Sequence, residues 1–230
     1  MPGQLSRSAG VVISQDGDDG LGASTVAKFG VFCLEGEWSS SLTDRSSVRP
    51  LLELLHTRGT IKYIHRDVAT VDELDHLAAR WPQKQYSDYR LGYFAFHGSA
   101  GRINVGRHSV DLDHLGALLA GRLTDKIVYF GSCSTAGIGE DALRQFKKTT
   151  RARAVCGYTE DVDWLEAAAF ELLLIDSVAY YTKPTRLAVQ VARNQPRPDV
   201  RQPRLRPALE VALLSRQTVE PDEEPATGDG

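Results

Sequence analysis

Short apolar runs and segments of helical periodicity take turns along the chain from about residue 29 onwards. Continuous apolar runs are typical of strands buried on both faces, whereas apolar residues three or four positions apart indicate amphipathic helices. The pattern predicts strands at residues 29–34, 60–65, 91–96, 126–130 and 152–156, with a hairpin at 103–110. It predicts helices at residues 48–55, 113–123, 140–148 and 162–181, and another that begins at Thr70. This alternation indicates an α/β domain with a mostly parallel sheet covered by helices on both faces.

Both ends of the chain lack the density of large apolar residues that a core needs. Residues 1–27 are rich in glycine, serine and aspartate, which predicts a flexible N-terminal arm. Residues 195–230 are proline-rich and acidic, which predicts a largely disordered tail. Within that tail, residues 205–215 fit either a last helix or an edge strand. The folded domain is therefore expected to span residues 28–194.

Composition removes several classes of function. The 230 residues are 42% hydrophobic and carry a net charge of -3, without a basic stripe interleaved with aromatic residues, so no nucleic-acid partner is expected. No apolar stretch reaches the roughly 18 to 20 residues that cross a bilayer, so no membrane partner is expected either. The three cysteines lie far apart and no secretory leader opens the chain, which favours a reducing cytoplasm. Close pairs of cysteine or histidine ligands are lacking, so neither a metal nor another cofactor is predicted.

Two of the predicted strands end in residues with catalytic chemistry. His97 and Gly98 follow the strand at 91–96, and Ser132 and Cys133 follow the strand at 126–130. Catalytic groups of open parallel sheets collect beyond the carboxyl ends of the strands, so these residues would meet if the two strands are neighbours. A nucleophilic cysteine needs a base and amide donors for the oxyanion. We predict Cys133 as nucleophile, His97 as proton acceptor, and the amides of Gly98 and Cys133 as the oxyanion hole.

The order of residues along the chain separates the classes of cysteine enzyme. All six histidines precede Cys133. Papain-like enzymes and cysteine enzymes on hydrolase-like folds place their histidine after the nucleophile, so these classes are excluded if Cys133 is catalytic. An isolated cysteine after an apolar strand is more often an inert core residue. A flavodoxin-like domain with Cys133 in its core therefore stays open, and Cys33 and Cys156 are expected in the core in either case.

The two motifs together resemble the caspase-like cysteine peptidases of clan CD. Histidine-glycine after one apolar strand and serine-cysteine after another are similar to these enzymes, and residues 131–136 are closest to bacterial CHAT-type sequences. The resemblance implies a three-layer α/β/α fold and an endopeptidase acting on protein or peptide substrates. It also implies that Cys133 attacks the carbonyl and that His97 protonates the leaving amine. Such enzymes are often encoded with sensor domains, so a separate activating protein is an expected partner.

A third segment extends the resemblance. Residues 155–164 are similar to the family segment that lines the substrate pocket, with Asp161 at the family aspartate and Glu160 where a tryptophan usually stands. The resemblance implies that Asp161 or Asp163 favours an arginine or lysine before the scissile bond, while the small Ser132 lets the substrate backbone approach. Both aspartates also suit a helix cap. A caspase-like interaction module without peptidase activity is the alternative function.

Overall fold

The computed structural model describes residues 29–180 and 214–215 of the chain. The strands are, in chain order, β1 (Phe29–Glu35), β2 (Ile61–Asp67), β3 (Tyr89–Ala95), β4 (His97–Ser99), β5 (Arg102–Val105), β6 (His108–Asp111), β7 (Ile127–Gly131), β8 (Ala154–Gly157) and β9 (Leu214–Ser215). The helices are α1 (Arg49–Thr57), α2 (Val71–Arg80), α3 (Leu112–Leu118), α4 (Glu140–Thr150) and α5 (Trp164–Tyr180). Short 3₁₀ turns lie at Lys84–Tyr86 and Thr135–Ile138.

The main sheet has six strands in the order β2-β1-β3-β7-β8-β9. The first five are parallel, and the two-residue β9 pairs antiparallel with β8 at the edge. A second, antiparallel sheet of β4, β5 and β6 stands on the connection between β3 and β7, where a hairpin was predicted. The mostly parallel sheet predicted from the periodicity is therefore confirmed.

Helices cover both faces of the main sheet and enclose two separate apolar cores. Helices α2, α3 and α4 pack on one face, in the core that contains Phe94 and Phe130. Helices α1 and α5 pack on the other face, in the core that contains Tyr93 and Tyr129. Because successive side chains of a strand point to opposite faces, each central strand supplies both cores. The result is the three-layer α/β/α arrangement that was predicted.

Local sequence signals explain the start of α2 and the end of α3. Helix α2 begins with a capping box in which the Thr70 hydroxyl accepts from the Glu73 amide and the Glu73 carboxylate accepts from the Thr70 amide. Helix α3 ends at Leu118 instead of residue 123, ahead of Gly121, which has a φ of +71°. No helix within residues 29–180 is long and apolar enough to cross a membrane.

The predicted terminal segments fall almost wholly beyond the part of the chain that the structure describes. The N-terminal arm at 1–27 lies outside the described residues, and so does the tail at 195–230 apart from β9. The predicted domain limits of 28 and 194 stay predictions.

Candidate active site

His97 and Cys133 occupy equivalent positions at the ends of two neighbouring strands. β3 and β7 pair in parallel, and Ala95 is the register partner of Gly131. His97 and Cys133 each follow two residues after that pair, at the carboxyl edge of the sheet. The two strands that were predicted to deliver these residues are therefore adjacent, as their proposed chemistry requires.

Gly98, the residue after His97, lies in direct contact with residues 133–135, which are called the cysteine loop below. A β-carbon added at Gly98 would lie 2.2 Å from Thr135 Oγ1 and 2.8 Å from the carbonyl oxygen of Cys133. Those distances are shorter than van der Waals contact, so only glycine fits without a shift of the loop. The residue beside His97 thus packs against the backbone of Cys133.

The loop after Cys133 is held by backbone hydrogen bonds to the segment after β8. The Ser134 amide donates to the carbonyl of Glu160 at 3.1 Å, and the Ala136 amide donates to the carbonyl of Tyr158 at 2.9 Å. Ser134 itself is left-handed, with a φ of 55°. Among residues 29–180 and 214–215, no backbone hydrogen bond donated by the Cys133 amide is found. Its role as an oxyanion donor, and that of the Gly98 amide, stays a prediction.

No α-helix begins directly after Cys133, so no helix N-terminus lies next to its thiol in the chain. The 3₁₀ turn at Thr135–Ile138 comes first, and α4 begins only at Glu140. Gly139 separates them with a φ of +105°, which breaks helical geometry. A 3₁₀ turn of four residues has few aligned peptide dipoles. Its stabilisation of a thiolate would therefore be smaller than a full helix provides.

The orientation of His97 is set by a backbone carbonyl that sequence analysis did not identify. His97 Nε2 lies 2.8 Å from the carbonyl oxygen of Trp38. A carbonyl only accepts hydrogen bonds, so Nε2 carries the proton and Nδ1 keeps a lone pair in the neutral ring. The Trp38 ring also packs edge-on against His97, with centroids 5.3 Å apart, and against Trp164, with centroids 4.8 Å apart.

The buried carboxylate of Glu35 holds the segment that contains Trp38. It accepts hydrogen bonds from the Trp38 indole at 2.5 Å, the Ser47 hydroxyl at 2.7 Å, the Val48 amide at 2.7 Å and the His65 ring at 2.5 Å. Burial raises the pKa of Glu35, but the hydrogen bonds outweigh burial and the net pKa lies below its usual value. The side chain of His65 is only 8% exposed, and its ring pairs with Glu35.

Glu35, His65 and Asp67 are the described residues closest to forming a metal site. One ligand atom from each lies within 4.8 Å of the others. The Glu35 oxygens already accept four hydrogen bonds, one of them from His65. A cation would have to replace that hydrogen bond, so the geometry fits a structural network better than a metal site.

A cavity of about 410 Å³ connects the candidate catalytic pair with the layer under α5. His97 and Cys133 both line it, Trp38 and Trp164 form aromatic walls, and the buried Glu171 lines it as well. The Cys133 sulfur lies 3.9 Å from the carbonyl oxygen of Val162. The cavity is mainly apolar, with a carboxyl group as its principal charged element.

Glu171 accepts hydrogen bonds from three tyrosine hydroxyls in the protein interior. Tyr93 donates to Oε2, while Tyr129 and Tyr158 donate to Oε1 at 3.1 Å and 3.2 Å. Burial raises the pKa of Glu171 to about 7, although the tyrosine hydroxyls favour the charged form. No lysine, arginine or histidine among the described residues forms an ion pair with it.

Ser132 and Asp161 stabilise the cysteine loop. Ser132 is 2% exposed, and its hydroxyl donates to Thr135 Oγ1 at 2.7 Å. The Asp161 carboxylate accepts from the Ser134 hydroxyl at 2.7 Å. Neither residue is among the described residues that line the cavity. Their contact with a substrate stays a prediction.

Asp163 caps α5, which is the helix-cap alternative considered for it. Its carboxylate accepts from the amides of Leu165 at 2.9 Å and Glu166 at 3.2 Å. It too is missing from the described residues that line the cavity. A role of Asp163 in substrate binding also stays a prediction.

Glu35, Trp38 and Glu171 were not predicted from the sequence. Two of them left a signal, since Glu35 ends an apolar strand at the edge where ligands collect, and Glu171 is a single acid between apolar helix residues. Trp38 lies in a loop whose path no local pattern reveals. Cys33 and Cys156 are buried in strands as predicted.

Comparisons with known proteins identify a family and a fold. A family model described as "Family of unknown function (DUF6642)" matches residues 28–180. The chain belongs to this family. No curated protein matches it. The crystal structure of caspase-1 from Spodoptera frugiperda is similar at 14% identity, over 82% of this chain and 87% of that chain, with a TM-score of 0.51.

The structural likeness confirms the predicted caspase-like fold of this DUF6642 member. An identity of 14% carries the fold alone. The closer resemblance to CHAT-type sequences stays a prediction, since it rests on the motif at residues 131–136.

Proposed function

We propose that this protein is a cysteine endopeptidase in which Cys133 is the nucleophile and His97 is the general base. The observation that carries this proposal is the pairing of Ala95 with Gly131, because it puts both side chains at one edge of the sheet and beside one cavity. A caspase-like fold supports the same chemistry as an analogy.

The hydrogen bond to Trp38 determines the role of each His97 nitrogen in the proposed mechanism. Nε2 donates to the Trp38 carbonyl, so Nδ1 is the nitrogen that accepts the Cys133 proton. The thiolate attacks the substrate carbonyl, and the resulting oxyanion is bound by the Cys133 and Gly98 amides. His97 protonates the leaving amine, and a thioester forms. His97 then activates a water that hydrolyses the thioester.

Active-site labelling tests the proposal directly. A chloromethyl ketone on a short peptide ending in arginine should alkylate the wild type once, at Cys133, and should not label Cys133→Ala. Cys33 and Cys156 are internal controls because both are buried, and burial raises the pKa of the Cys33 thiol well above its usual value and that of Cys156 to about 12. Label on either buried cysteine, or folded wild type that stays unlabelled and cleaves no member of a peptide library, would contradict the proposed function.

An interaction module with a caspase-like fold is the second candidate function. Leu165 and Leu173 of α5 are 75% and 60% exposed, and these apolar side chains are the observation on which this alternative rests. A separate activating protein would use such a surface in an active enzyme as well. Folded protein that neither reacts with the electrophile nor cleaves any member of a peptide library would favour the interaction module.

A further inference from the structure

The carboxyl group of Glu171 is buried without a cationic partner among residues 29–180. Its residue is 4% exposed, and its three hydrogen-bond donors are neutral tyrosines. A carboxylate offers about four acceptor positions, so one position on Oε2 is open when Tyr93 donates to that oxygen. Burying an unpaired carboxylate is costly, and a ligand that brings a positive charge would offset this cost.

The open cavity gives such a ligand a route from the candidate catalytic pair to Glu171. Cys133, His97 and Glu171 line the same cavity of about 410 Å³. Gly131, two residues before Cys133, also lines this cavity. A β-carbon added at Gly131 would be only 2.9 Å from Glu171 Oε1. Two residues of extended chain span at most about 7 Å, which puts Oε1 within about 12 Å of the Cys133 Cα. An extended arginine or lysine side chain covers that separation when its carbonyl carbon lies at Sγ.

The walls of the cavity suit the stem of a long cationic side chain. Trp38, Trp164, Val162 and Ala167 line it between its ends and offer mainly apolar surface. Arginine and lysine bury their methylene stems against such surface while the charged head seeks a polar partner. A shorter acidic or neutral polar side chain would leave either the apolar walls or the carboxylate unsatisfied.

We propose that Glu171 is the specificity-determining residue that binds the charged head of an arginine or lysine immediately before the scissile bond. This inference rests on the proposed peptidase function and deepens it. It assigns basic specificity to Glu171, whereas the resemblance implies Asp161 or Asp163. In the structure Asp161 accepts from Ser134 and Asp163 caps α5.

A pair of substrates that differ in one charge tests Glu171. Two fluorogenic peptides are used, identical except that one carries arginine and the other citrulline before the scissile bond. The wild type is expected to prefer arginine by about 100-fold or more in kcat/KM, because a site built around a charged acceptor rejects the uncharged isostere. Glu171→Gln should reduce this ratio to about threefold or less, mainly by slowing arginine cleavage.

The matched controls are single substitutions of other acids. Glu166→Gln removes a carboxyl group from the same helix, outside the described residues that line the cavity, and should keep the wild-type ratio. Asp161→Asn and Asp163→Asn should keep it as well. A ratio that survives in Glu171→Gln, or that collapses in either aspartate variant, would overturn the inference.

The two proposals fail in different ways. If the wild type cleaves no member of a peptide library and Cys133 resists alkylation, the peptidase function fails, and the inference fails with it. If the wild type cleaves only after residues other than arginine and lysine, the peptidase function stands and the inference fails. If the wild type cleaves arginine and citrulline peptides equally well, only the inference fails.

A measurement on the wild type covers the case in which Glu171→Gln does not fold. The ratio of arginine to citrulline cleavage should rise between pH 6 and 8 as Glu171 ionises, since burial raises its pKa to about 7. A group that affects the cleavage of both substrates alike cancels in the ratio. The facing tyrosines, Tyr93, Tyr129 and Tyr158, titrate higher because burial raises their pKa, and the negative charge of Glu35 raises that of Glu171. A ratio that is flat across this range would refute the role of Glu171.

Discussion

The buried carboxyl group of Glu171 makes the stability of the fold depend on pH in a way that can be measured without substrate. Its pKa is raised from 4.5 to about 7, with burial as the first cause. The folded protein therefore holds a proton that the unfolded chain releases between these two values. Stability falls with rising pH wherever the folded state binds more protons, so Glu171 destabilises the fold as pH rises through this window.

The size of the effect follows from the shift in pKa. One unit is worth 1.36 kcal/mol, and the part of the shift that titrates between pH 5 and 8 amounts to about 2 to 3 kcal/mol of lost stability. Glu171→Gln cannot ionise and should not show this loss. Glu35 stays ionised throughout the window because its net pKa is lowered, so it does not contribute.

Urea unfolding of wild type and Glu171→Gln at pH 5 and pH 8 isolates this contribution. The lost tyrosine hydrogen bonds alter the variant equally at both pH values. The free energy of unfolding of the variant relative to wild type should therefore rise by about 2 to 3 kcal/mol from pH 5 to pH 8. Glu166→Gln should track the wild type. A difference between Glu171→Gln and wild type that is the same at both pH values would refute the buried, proton-binding state of Glu171.

Three further substitutions, with Gly116→Ala as a control, test the geometry around His97 and Cys133. His97→Asn should lower kcat/KM for a peptide substrate by about 10²- to 10⁴-fold, with thermal unfolding unchanged, and full activity would exclude His97 as the base. Gly98→Ala should lower the free energy of unfolding in urea by about 1 to 3 kcal/mol, because its β-carbon would lie 2.2 Å from a threonine oxygen. Gly116→Ala should lower it far less, because the nearest contact there is at 3.4 Å. Glu35→Gln should lower the free energy of unfolding by about 2 to 3 kcal/mol near neutral pH, measured in urea. This difference from wild type should shrink as pH falls through the lowered pKa of Glu35. Equal costs for the two glycines, or a Glu35→Gln difference that is constant down to acidic pH, would contradict the packing and hydrogen bonds described.

Local sequence patterns predicted most of the strands and helices of the fold. The apolar run at 126–130 became β7, and the cap signal at Thr70 became the start of α2 with its full capping box. Both depend on neighbouring residues, whose spacing can be read from the sequence. The pairing of β3 with β7 was conditional, because the order of strands in a sheet depends on long-range contacts.

The candidate site was predictable only in part, for the same reason. His97 and Cys133 could be named because they follow strands directly. The Trp38 carbonyl reaches His97 across 59 positions of the chain, and Tyr93 reaches Glu171 across 78. No periodicity encodes contacts of that range. The helix cap made by Asp163 joins residues two positions apart, and it was considered from the sequence beside the pocket role that the resemblance implied.

The two faces of the central sheet differ in a way that the fold alone does not require. Tyr93 pairs with Tyr129 and Phe94 pairs with Phe130, so one pair of strands presents tyrosines to α5 and phenylalanines to the opposite core. Phenylalanine would fill the layer under α5 as well, without hydroxyl groups that must find partners when buried. The hydroxyls of Tyr93 and Tyr129 both donate to Glu171. An apolar residue at position 171 with phenylalanines at positions 93 and 129 would fill the same layer without these buried polar groups. A polar cluster that is costly to bury, set beside the cavity that holds His97 and Cys133, is better explained by ligand binding than by stability.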